Sequence, residues 1–99
     1  LNGEKNNNAR RIPMRCWVEI EVVHTGEVFY GVTVGLSVEG VSFLTRYVPR
    51  FAELLEIRLI PPEGSVVNPL RALIQVENCT QIIKGREYEI DSAIREIRE

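Results

Sequence analysis

Short runs that alternate apolar and polar residues recur along this 99-residue chain, and no stretch of comparable length carries the three-to-four repeat of an amphipathic helix. Cys16, Val18, Ile20 and Val22 are separated by polar Glu19 and Glu21. Leu55, Ile57 and Leu59 frame Glu56 and Arg58, and Glu87-Tyr88-Glu89-Ile90-Asp91 alternates just as cleanly. A period of two puts every second side chain on one face of a strand. The chain must therefore fold as sheet, with one face of each strand turned inward.

The breaks between the runs have turn chemistry. His24-Thr25-Gly26-Glu27 separates two apolar runs and predicts a hairpin. Pro61-Pro62-Glu63-Gly64 ends the strand through Leu59, opening a loop that runs to Pro69, and Lys84-Gly85-Arg86 turns the chain back again. Ala72, Ile74 and Val76 form the core side of the strand between them. In the run Val28 to Val38, the even positions Val28, Tyr30, Val32, Val34, Leu36 and Val38 read as the core face. Phe29, Gly31, Thr33, Gly35 and Ser37 then make an outer face whose later half lacks bulk. Gly40 bends the chain into a further strand, with Val41 and Phe43 on one side.

Two segments are less regular. Tyr47 to Leu54 contains Pro49 and reads either as a short helical turn or as the lead-in to a strand. Ser92 to Glu99 reads as a continuation of the last strand in preference to a helical turn capped by Ser92. About six short strands with tight turns predict a small antiparallel barrel or sandwich, and the barrel is preferred because closure removes exposed edges. Residues 1–8, with Asn6-Asn7-Asn8, are a polar lead-in, and residues 9–99 are the one domain expected.

Charge and composition narrow the function. A net charge of -2 argues against a binder of DNA or RNA polymers, so any basic site is local. No apolar run approaches the roughly 20 residues of a membrane helix, and no signal peptide is visible, which predicts a cytoplasmic domain without membrane insertion. Cys16 and Cys79 lie in apolar strand runs and read as free thiols. His24, the one histidine, falls in a turn, and Glu39 reads as a polar turn residue. No nucleophile with a base, metal-ligand cluster or P-loop spacing is present, so no enzyme is expected.

One local basic site stands out. Arg10, Arg11 and Arg15 crowd around Pro13, whose ring disfavours helix at Ile12 and holds the segment extended or turned. Guanidinium forks match phosphate and stack on flat rings, which suits a phosphorylated aromatic ligand, although short basic runs are more often solvated surface charge. Trp17 falls on the polar face beside Arg15 and reads as a cover for the barrel end in preference to a ligand border.

Arg11-x-x-x-Arg15 before the first strand, together with Gly35-x-Ser37-x-x-Gly40 at the end of another, resembles the bacterial PilZ domain over most of the chain. That family's pattern is R-x-x-x-R followed by D/N-x-S-x-x-G, and Tyr88-x-Ile90 resembles its closing strand. The resemblance implies an all-β, six-stranded antiparallel β-barrel and a receptor for cyclic di-GMP, with no cofactor besides that ligand. Arg11 and Arg15 would grip phosphates and guanine faces, Ser37 would hydrogen-bond on the barrel surface, and Gly40 would allow the bend and close approach. An arginine at the position of Arg10 is associated, in similar members, with a stacked pair of ligand molecules. The implied output is a change in how the domain meets a neighbouring domain or protein effector.

Gly35 departs from the pattern, since it stands where the family has Asp or Asn and offers no side-chain acceptor. Loss of one such contact to a guanine edge costs about 1 to 3 kcal/mol. The alternative expectation is thus a degenerate PilZ-type interaction module that binds no cyclic di-GMP.

Overall fold

The computed structural model describes residues 12–13, 15–64 and 69–98. The strands are β1 (Ile12–Pro13), β2 (Trp17–Val22), β3 (Val28–Leu36), β4 (Gly40–Thr45), β5 (Leu54–Ile60), β6 (Leu70–Ile83) and β7 (Glu87–Arg98). Their order is β1-β3-β2-β5-β6-β7-β4, and β4 pairs back onto β3. Every pairing is antiparallel. Six strands thus close into a barrel, while β1 lies along the far end of β3. Among the described residues there is no helix.

Alternation explains the interior. Val18, Ile20 and Val22 from β2, Leu55, Ile57 and Leu59 from β5, and Ala72, Ile74 and Val76 from β6 all point inward. Val41, Phe43 and Ile90 close the core from β4 and β7, and Phe43 is its largest fully buried side chain. Burial of each such side chain contributes about 1.5–3 kcal/mol, which sets the facing of each strand firmly. The tail continues as strand through Arg98, in agreement with the preferred reading of that segment.

β3 corrects the sequence expectation. Its inward residues up to the register shift at Thr33/Gly35 are Phe29, Gly31 and Thr33, while Val28 and Tyr30 are exposed and Val32 is half-buried on the outside; past the shift Leu36 pairs with Val41 and packs on the core, as the sequence predicts. Val38 lies beyond the strand and is exposed. The cause is close packing of β3 on β4: a Cβ on Gly31 would run into the carbonyl oxygen of Leu44. Around Gly31 and Thr33 the face without bulk is the inner one, where the large side chains of neighbouring strands fill the space. Thr33 is tolerated there because its hydroxyl is engaged with Cys16.

The irregular segment before β5 is a turn at Phe51-Ala52. Ala52 has a φ of 64°, and its N–H donates to the Val76 carbonyl at 3.1 Å. Gln75 Nε2 donates to the Ala52 carbonyl at 3.0 Å, so β6 holds both sides of this left-handed residue.

Candidate functional site

The two arginine-rich and serine-glycine segments are brought together by strand pairing. β1 places Ile12 opposite Leu36 and Pro13 opposite Gly35. Pro13 stands two residues before Arg15, and Gly35 two residues before Ser37. Further along, Trp17 pairs with Val32, so the N-terminal chain advances four residues where β3 retreats three. Cys16 then re-anchors it: Thr33 N–H donates to the Cys16 carbonyl, and Cys16 N–H donates to Thr33 Oγ1, each at 2.9 Å.

Arg15 lies between the β1 and β2 pairings, exposed, and makes no ion pair with another described residue. A guanidinium without an internal carboxylate partner keeps its fork available to an external anion. Arg10 and Arg11 lie outside the described residues.

Ser37 begins the turn between β3 and β4. Its N–H donates to the Gly40 carbonyl at 2.9 Å, and its Oγ accepts from the N–H groups of Glu39 and Gly40 at 3.2 Å each. The hydroxyl therefore holds the turn that presents Val38 and Glu39 to solvent. Ile94 N–H donates to the Glu39 carbonyl at 2.8 Å and ties the turn to β7. Gly40 is buried, and a Cβ there would meet the Ser92 carbonyl oxygen. The close approach this glycine allows is that of β4 onto β7.

Beside Arg15 the outer surface forms a groove of about 670 Å³. Its walls include Arg15, Trp17, Val32, Pro61, Pro62 and Glu63. Trp17 pairs laterally with Val32 on one side and Ile60 on the other, which sets its ring on the outside of the barrel. With 61 % of its surface exposed, it does not act as the expected cover of the barrel end. Trp17 and Glu63 are absent from the motif; an aromatic residue on the polar side of β2 was the one signal in the sequence.

Shifted pKa values belong to residues outside this groove. Burial, reinforced by a hydrogen bond to Glu53, pushes the Tyr47 hydroxyl up to about 12, and its ring stacks on Phe29 with centroids 4.5 Å apart. Burial also pushes the Cys79 thiol up. Among the described residues no group of three or more His, Cys, Asp or Glu side chains is placed to hold a metal ion.

No family model matches the chain, and no curated protein does. Among solved structures it is similar to the Bacillus subtilis inhibitor of motility, MotI/DgrA, with a TM-score of 0.72 and 16% identity over 89% of this chain. The match spans 41% of that protein's chain. The likeness is one of fold, and the fold is a closed, six-stranded antiparallel barrel of PilZ type.

Proposed function

We propose that this domain is a non-enzymatic receptor for cyclic di-GMP, with Arg11 and Arg15 gripping the ligand beside the Ser37 turn. The observation that carries the reading is the β1–β3 register, which sets the chain next to Arg11 and Arg15 against the strand that leads into Ser37. Residues adjoining the two motif halves, distant in sequence, are thus strand partners, which supports a shared surface. Ser37 preorganises that surface by holding its turn, and Gly40 does so by letting β4 seat against β7. The ligand's phosphates supply the anion that exposed guanidinium forks accommodate best. The inhibitory role in the name of MotI/DgrA, which shares the fold, fits a domain whose output is contact with another protein.

A second reading is favoured by Gly35. It is buried between Pro13 of β1 and Ser42 of β4 and supplies no side-chain acceptor. On that reading the domain is a PilZ-type interaction module without a nucleotide. Calorimetric titration with cyclic di-GMP separates the two: saturable heat that disappears in Arg11→Ala supports the receptor, and no heat together with no ligand-induced thermal shift supports the module.

A further inference from the structure

We infer that the groove between Trp17 and the Pro61-Pro62 loop is a stacking site for a guanine ring, read at its edges by Arg15 and Glu63. The inference deepens the receptor reading and rests on it for the ligand's class, but it concerns residues that the arginine and serine-glycine motifs do not contain. The groove offers an exposed indole flanked by Val32 and walled by two prolines, largely apolar surfaces that suit a planar ring. At about 670 Å³ it has room for a nucleobase with its sugar.

The two charged residues on its rim have opposite hydrogen-bonding character. Arg15 carries only donors and Glu63, when ionised, only acceptors. Guanine presents acceptors at O6 and N7, which a guanidinium fork reads, and donors at N1–H and the exocyclic amine, which a carboxylate reads. Adenine keeps the N7 acceptor but replaces O6 by an amine that would face the arginine and N1–H by a bare N1 that would face the carboxylate. A rim with one arginine and one glutamate thus favours guanine over adenine. It also supplies, from the β5–β6 loop, a carboxylate acceptor of the kind that Gly35 lacks.

Trp17 is the sole tryptophan of the chain, so its emission reports directly on the groove. Titrating the domain with guanosine monophosphate and with cyclic di-GMP should quench it saturably, and adenosine monophosphate should bind at least about tenfold more weakly. Glu63→Gln, an exposed substitution, should erase most of that difference while the thermal midpoint stays unchanged. Heat from cyclic di-GMP with no change in Trp17 emission would overturn the groove assignment and leave the receptor reading standing. Equal quenching by the two monophosphates, unaltered in Glu63→Gln, would overturn the role of Glu63. Guanine-selective quenching by the monophosphates with no heat and no thermal shift from cyclic di-GMP would keep the groove and remove the receptor reading.

Discussion

Thr33, fully buried in β3, binds Cys16 twice: its N–H donates to the Cys16 carbonyl and its Oγ1 accepts the Cys16 N–H, both at 2.9 Å. This pair is the first fixed point after the exposed Arg15, so a hydroxyl inside the barrel sets where a guanidinium outside it begins. Thr33→Val keeps the shape but removes the acceptor, leaving the buried Cys16 N–H without that bond. The variant should lose about 1–3 kcal/mol in urea unfolding. It should also weaken cyclic di-GMP binding in calorimetry, because the anchor of the arginine segment is loosened.

Gly40 has a packing role that is independent of ligand. Any side chain there meets the Ser92 carbonyl oxygen, and backbone cannot yield as the end of a flexible side chain does. Gly40→Ala should lower stability by about 1–3 kcal/mol in the absence of nucleotide. Thermal unfolding of the free domain checks this. An unchanged midpoint would mean that β4 is able to part from β7 at little cost.

Strand facing was legible wherever bulk and polarity agreed, as in β2 and β5, where Glu19, Glu21, Glu56 and Arg58 mark the outside unambiguously. It failed in the part of β3 before the register shift at Thr33/Gly35, where both faces are uncharged, and held again at Leu36, which packs on the core. The deciding fact is the proximity of Leu44 to Gly31, a contact with another strand that local pattern does not encode. The candidate site divides in the same way. The motif residues were legible from spacing, but the groove depends on the lateral pairing of Trp17 with Val32 and Ile60 and on the loop that follows Ile60. Those neighbours exist only once β5 has joined β2.

Tyr47 gives the domain an alkaline limit. Burial, then the hydrogen bond and charge of Glu53, raise its hydroxyl from the ordinary 10.0 to about 12. The folded state thus holds this proton more tightly than the unfolded chain. Its stabilising contribution is complete below pH 10 and is lost as the pH rises through about 12. Tyr47→Phe retains an aromatic ring beside Phe29 but removes the titrating group and its bond to Glu53. The variant should be less stable by about 1 kcal/mol at neutral pH. Its stability should also fall less steeply across the alkaline window, as read by urea midpoints at a series of pH values.

The arginines should be separable from the fold. Arg15 is exposed and has no ion-pair partner among the described residues, so Arg15→Ala removes no interaction that the barrel relies on. Its unfolding free energy should stay within about 0.5 kcal/mol of the parent. Cyclic di-GMP binding should nevertheless disappear, since the fork that meets phosphate is gone. Arg11→Ala should match it in binding. Arg10→Ala should be milder, lowering the calorimetric stoichiometry from a stacked pair of ligands to one. Loss of stability in Arg15→Ala, with affinity retained, would instead make Arg15 part of the barrel's own surface.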